Sequence, residues 1–196
     1  PRCLNRYNAA SNDFTRFLAN ETASTTSENS GLSGNHVTAL AVDQNNILYA
    51  GTFGAGVTAI LSDRETYKYY YIKENILENT EPKSQSFVTA LHLSTTGEVL
   101  VGTPKRGLNV IDKKAQIIKP YPLALPHQET LKKSTIAHIA QDDKGNIWIG
   151  GWSNGIRRLA PDGSLKSYQT DSTDPKSLPS SGIWDMTLDK RNHIPL

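Results

Sequence analysis

The sequence predicts an all-β fold of β-propeller blades, each a four-stranded antiparallel meander, and three observations carry that prediction. A short apolar motif returns along the chain as Val37-Thr38-Ala39-Leu40, Val88-Thr89-Ala90-Leu91, Ile136-Ala137-His138-Ile139 and Ile183-Trp184-Asp185-Met186, at intervals of 51, 48 and 47 residues. A second run follows at a fixed distance each time: Leu48-Tyr49-Ala50-Gly51, Val99-Leu100-Val101-Gly102 and Ile147-Trp148-Ile149-Gly150. Five positions after each closing glycine stands another, Gly56, Gly107 or Gly155. A constant interval of 40 to 50 residues is the mark of a repeat architecture, and four short strands per interval fit a propeller blade.

Taken in chain order, each unit has the same parts. The first strand is the apolar motif itself. Polar turn residues follow (Gln44-Asn45-Asn46, Thr95-Thr96-Gly97, Asp143-Lys144-Gly145), and Asn and Gly suit a tight hairpin because they tolerate positive φ. The glycine-ended run is the second strand. The third opens on the second glycine and covers residues 57–60, 108–111 and 156–159. The fourth is rich in aromatics, as at residues 67–72 and 165–168, and the cluster Tyr67, Tyr69, Tyr70 and Tyr71 reads as an outermost edge whose alternate rings pack inward. The stretches 19–34, 73–86, 119–134 and 169–182 are polar links between blades, with no helix expected.

The resulting units are a half blade at 1–33, full blades at 34–85, 86–133 and 134–180, and a half blade at 181–196. Leu4-Asn5-Arg6-Tyr7 aligns with a third strand and Phe14-Thr15-Arg16-Phe17 with a fourth. Cys3 stands where a blade has its second glycine, and Pro195 falls in a strand, where it makes a poor closing residue. The expectation is therefore an excerpt of a larger ring rather than a closed four-bladed one, with edge strands that pair with the remaining blades or with another copy.

Several function classes are disfavoured. The formal charge is +2 and the Lys and Arg residues are scattered, so the footprint of a nucleic-acid binder is missing. The apolar runs are too short to span a bilayer, and no charged start with an apolar core marks a signal peptide. With one cysteine the chain has no internal disulfide framework. His36, His92, His127, His138 and His193 lack metal-site spacing, and Asp142-Asp143-Lys144-Gly145-Asn146 lacks the later acidic ligand of a calcium loop. No cofactor, metal or catalytic residue is assigned.

The motif Asp142-Asp143-Lys144-Gly145-Asn146-Ile147-Trp148-Ile149-Gly150, then Gly155-Ile156-Arg157-Arg158-Leu159, with the link Asp174-Pro175-Lys176-Ser177-Leu178-Pro179-Ser180-Ser181, resembles the two-component regulator propeller repeat. The resemblance covers nearly the whole chain, with Tyr49 and Leu100 standing where the third copy has Trp148. It implies seven-bladed propellers outside the cytoplasmic membrane. It also implies a membrane-anchored parent that carries a histidine kinase or diguanylate cyclase, and a periplasmic, non-enzymatic sensor function for this chain. A protein-interaction scaffold is the alternative; a propeller lyase or hydrolase is the third class.

Alternate connections of a meander emerge at the same end, so the loops between paired glycines share one rim. Their tips read Thr52-Phe53-Gly54-Ala55, Thr103-Pro104-Lys105-Arg106 and Gly151-Trp152-Ser153-Asn154. Phe53 and Trp152 supply ring faces, and Lys105, Arg106 and Asn154 supply donors, the combination that recognises a carbohydrate or another small polar ligand. The competing reading is that the rings cover blade ends and Lys105-Arg106 is a solvated turn. Trp148 and Trp184 are expected to pack between blades.

Overall fold

A computed structural model describes residues 4–19, 31–72, 86–132 and 134–189. Its elements are β1 (Leu4–Asn8), β2 (Asp13–Phe17), β3 (Val37–Val42), β4 (Leu48–Thr52), β5 (Gly56–Ile60), β6 (Tyr67–Ile72), β7 (Ala90–Leu93), β8 (Val99–Gly102), β9 (Leu108–Asp112), β10 (Ile117–Pro120), α1 (Leu125–Lys132), β11 (Ile136–Gln141), β12 (Ile147–Gly151), β13 (Ile156–Leu159) and β14 (Leu165–Tyr168). The chain divides into two compact units, residues 1–88 with 111–119, and residues 89–110 with 120–196.

In the first unit β1 and β2 form an antiparallel hairpin with Leu4 opposite Phe17. Strands β3 to β6 then form an antiparallel meander in which β4 and β5 are buried almost throughout, because both faces of a central strand are covered. Strand β6 is not a free edge: β10 adds to it in parallel, pairing Ile117 with Tyr71 and Ile118 with Ile72. Tyr70 is buried. Phe17, Leu32, Ala50 and Ile60 form the core, with Leu4, Val37, Leu48 and Tyr67 packed on it.

The second unit contains the antiparallel run β7-β8-β9 and the complete meander β11-β12-β13-β14. Its core joins Leu100, Leu108 and Val110 to Leu131, Ile136, Ile139, Ile147 and Ile149. The helix α1 departs from the expectation of an irregular link. Pro126 sits in its first turn, where no intrahelical donor is needed, and Leu131 is driven inward against the β-strand core. Ile183 and Met186 are buried beside Ile156 as a first strand would be, yet residues 182–189 form no strand. Cys3, Pro195, His193 and most of the links at 19–34 and 73–86 lie outside the described residues.

A recurring backbone bond joins successive repeats. Val88 N donates to Thr52 O at 3.1 Å, Ile136 N to Thr103 O at 3.2 Å and Ile183 N to Gly151 O at 2.9 Å. Thr38 and Thr89 reinforce it, their hydroxyls donating to Val88 O and Ile136 O. This closeness explains the first glycine of two of the pairs: a Cβ on Gly102 would lie 2.6 Å from Ile136 Cγ2, and one on Gly150 2.8 Å from Ile183 Cγ2. At the tight hairpins Asn46, Gly97 and Gly145 all take positive φ, 60°, 84° and 80°, matching their aligned places in the sequence.

The same hairpins carry a buried carboxylate that the sequence reading did not single out. Asp142 Oδ1 accepts from Lys144 N and Asn146 N, and its Oδ2 accepts from Asn146 Nδ2 at 2.8 Å and Trp148 Nε1 at 2.9 Å. Asp43 does likewise with Asn45 N and Ile47 N, and with Tyr49 Oη at 3.0 Å and Lys113 Nζ at 3.3 Å. In the middle copy Ser94 replaces the aspartate and Leu100 replaces the aromatic donor, so hydroxyl and apolar side chain change together.

Burial pushes both carboxyls up, but the donors aimed at them outweigh it and hold both below the usual carboxylate range. A carboxyl with a depressed folded pKa stabilises the fold above its unfolded value of about 3.9, and that contribution is lost as pH falls through the folded value. Thermal stability is therefore expected to drop on acidification below about pH 4. Asp142→Asn is expected to cost about 1–3 kcal/mol at neutral pH, by turning an amide against the indole donor, and to flatten the acid limb. Denaturant melts across pH check both. Gly150→Ala is expected to destabilise by about 1–3 kcal/mol through overpacking, read as a lowered denaturation midpoint.

Candidate functional site

The loops between second and third strands start from a fixed frame. In two copies the threonine closing the second strand donates across the loop, Thr52 Oγ1 to Gly56 O at 2.9 Å and Thr103 Oγ1 to Gly107 O at 3.0 Å. The residues between are held away from the strands and vary freely in chemistry.

Phe53 stands at the β4–β5 tip, half exposed, with its ring 4.6 Å from Phe87 and 5.4 Å from His36. Its amide also donates to His36 O. In the β8–β9 loop Lys105 is exposed, while Arg106 is half-buried and its backbone N donates to Thr103 Oγ1. Trp152, at the β12–β13 tip, is 48% exposed and pairs with Trp184 at 5.8 Å between ring centroids.

Trp184 corrects an expectation. It was expected between blades, but it is 78% exposed, because the segment after Gly182 forms no strand and turns only Ile183 and Met186 inward. Two indoles thus stand together at the surface of the second unit. Trp148 departs less: it is half-buried, stacked at 6.0 Å on Tyr168 beneath the Arg158 guanidinium, and tied to Asp142.

Asn154 acts as a brace. Its Nδ2 donates to Ser134 Oγ at 2.8 Å, and its carbonyl accepts from Gln169 Nε2. The same Ser134 oxygen accepts from Arg157 Nη1 at 2.6 Å, which places the Arg157 guanidinium directly beneath the Trp152 loop. Arg157 looks in sequence like an ordinary strand residue; its one distinguishing signal is a charge where the aligned residues are Thr58 and Asn109.

The second unit also has a cavity of about 330 Å³, lined by the Ser94–Glu98 turn, Tyr121, Leu123, Gln141 and Pro161 among others. Thr95 N donates to Gln141 Oε1 at 2.7 Å on its wall, and burial followed by the Glu98 charge raises the Tyr121 phenol. No metal-holding group of three His, Cys, Asp or Glu side chains occurs among the described residues. No helix among them is long and apolar enough to cross a membrane.

Residues 31–54 and 130–153 match the model of the two component regulator propeller family. Those are the copies that contain the Asp43–Tyr49 and Asp142–Trp148 pairs. No curated protein matches the chain. Among solved structures, the chain is similar to the extracellular domain of a putative hybrid two component system from B. thetaiotaomicron, with TM-score 0.75 and 21% identity over 98% of this chain and 23% of that one. A second such domain from the same organism gives TM-score 0.59 and 18% identity over 78% and 20% of the two chains. Virginiamycin B lyase from Staphylococcus aureus gives TM-score 0.56 and 22% identity over 81% and 47%. These likenesses establish the propeller fold, and the chain spans less than a quarter of the first two.

Removing one indole tests the surface pair. Trp184→Ala is expected to change the unfolding free energy by less than about 0.5 kcal/mol, as befits an exposed side chain, while altering the emission of Trp152. A large loss of stability would return Trp184 to a core role.

Proposed function

We propose that this chain is part of an extracytoplasmic, ligand-sensing propeller of a bacterial two-component or related receptor. The observation that carries the reading is the joint occurrence of two regulator-propeller repeats with a fold similar over 98% of the chain to the extracellular domain of a hybrid two component system. The ligand is a carbohydrate, and the rim loops receive it. Paired indole faces at Trp152 and Trp184 suit the apolar face of a sugar ring, while Lys105 and Arg106 supply donors from a neighbouring loop of the same unit. Phe53, held by Phe87 and His36, is a separate exposed ring at the corresponding loop tip of the other unit.

The chain itself binds rather than catalyses; the parent supplies the membrane anchor and the output domain, and the compartment is the periplasm. Signalling follows from differential affinity. A ligand favouring one arrangement of the receptor's subunits shifts the population toward it and changes the output across the membrane.

A thermal-shift screen of neutral and acidic mono- and oligosaccharides tests the proposal. A binding saccharide is expected to raise the melting temperature with the logarithm of its concentration above the dissociation constant, the stabilisation reaching about 2.7 kcal/mol at one hundred times that constant. Trp152→Ala and Trp184→Ala should each weaken that response at least tenfold in concentration. A response unchanged in both variants would remove the rim from the proposal, and no response to any saccharide would favour a scaffold without a small-molecule ligand.

A further inference from the structure

The least compensated charge among the described residues of the second unit lies beneath the Trp152 loop. Arg157 is only 6% exposed. Its Nη1 donates to the neutral Ser134 hydroxyl, its Nε is sealed from solvent without a hydrogen bond, and no carboxylate among the described residues pairs with it. Ser134 has no acceptor capacity to spare, since its oxygen already takes the Asn154 amide and donates onward to Thr130 O. Burial pushes the pKa of the guanidinium down, with no charge among the described residues to offset it.

A buried charge without a counter-charge is costly, and a fold with a neutral alternative has no structural need of one. The alternative is present in this chain. Thr58 and Asn109 occupy the aligned place in β5 and β9, both fully buried and both satisfied: Thr58 by Ser33, and Asn109 by Gly107 O at 2.9 Å and Arg106 O at 3.3 Å. The arginine is thus a departure from a pattern that the architecture accommodates twice without charge.

Its remaining donors have a definite shape. With Nη1 engaged by Ser134, the edge carrying Nε and Nη2 is left, and that edge grips a carboxylate or sulfate through two parallel hydrogen bonds. We infer that Arg157 is the anchor of an anion site, holding an anionic group of the ligand, such as the carboxylate of an acidic sugar, beneath the Trp152–Trp184 pair. The inference rests on the ligand-binding reading above and narrows its ligand class. Because Nε is sealed, an anion that reaches it displaces neighbouring side chains, so binding is coupled to a local rearrangement at the β12–β13 loop.

The test uses Arg157→Asn and Arg157→Thr, residues that the fold already holds at the aligned positions. Without ligand, at least one variant is expected to melt about 2–6 °C above the wild type, because an uncompensated buried charge is gone. In the wild type, glucuronate and galacturonate are expected to raise the melting temperature at tenfold lower concentration than glucose and galactose, and both variants should abolish that preference. Sodium sulfate at matched ionic strength separates the sources: a response equal to the uronates marks a general anion site, and a weaker one marks an acidic sugar. If glucose and glucuronate act alike in wild type and variants, the anion site is overturned while the saccharide reading stands. If no sugar acts and both variants melt lower than the wild type, both are overturned and Arg157 is a packing residue.

Discussion

A blade of this kind has two apolar faces and cannot stand alone, so the bond that stacks one repeat on the next constrains everything else. That bond runs from the apolar motif that opens each repeat to the end of the second strand, or the residue just after it, of the repeat before, at Val88, Ile136 and Ile183. It forms only if the backbones approach closely, which is why Gly102 and Gly150 carry no Cβ: Ile136 and Ile183 already fill the space. The approach fixes where each second strand ends. It therefore fixes where each loop to the third strand begins, and the candidate site is built from those loops.

Around that invariant the repeats diverge in a way that follows chemical necessity. An aspartate buried in the hairpin needs donors, and it has them from two backbone amides and from the aromatic six residues later. Replace the aromatic with Leu100 and one carboxylate oxygen loses its partner; the chain answers with Ser94, whose single oxygen is satisfied by Glu98 N and by Thr96. The two positions are chemically coupled, as donor and acceptor of one hydrogen bond. A repeat can lose both members and keep its hairpin, as the middle copy does, whereas losing one leaves a buried group unsatisfied.

The architecture was legible because its signals are periodic and local: glycine spacing, turn residues and apolar runs recur with the strands they create. What escaped was set by partners distant in sequence. Pro126 read as a breaker in a polar link, yet in a first helical turn proline is harmless, and Leu131 is buried in a core that includes Leu100 and Leu108, more than twenty residues earlier in the chain. Trp184 sits at a strand position in register, but its segment meets its neighbour through the Ile183 N bond to Gly151 O rather than through a ladder, so the alternation that would have turned the indole inward is absent. The parallel pairing of β10 with β6 likewise has no local signal. The rim residues Phe53, Lys105, Arg106, Trp152 and Asn154 were legible as loop tips. The brace made by Asn154 was not, since Ser134 is twenty residues upstream.

Symmetry also limits where recognition can arise. Identical rims would present the same chemistry at every blade and bind a ligand at each or at none, so a single specific site requires departures from the repeat. The departures here are unevenly distributed. The β12–β13 loop has an exposed indole where the other tips have Phe53 and Pro104, and the strand beneath it has a buried guanidinium where the others have Thr58 and Asn109. The stacking bond, hairpin and paired glycines of the same repeat keep their form. Loops outside the stacking vary more readily than packed strands in any repeat, so what sets this repeat apart is less the loop than the buried guanidinium in the strand beneath it, a place where change is constrained by packing.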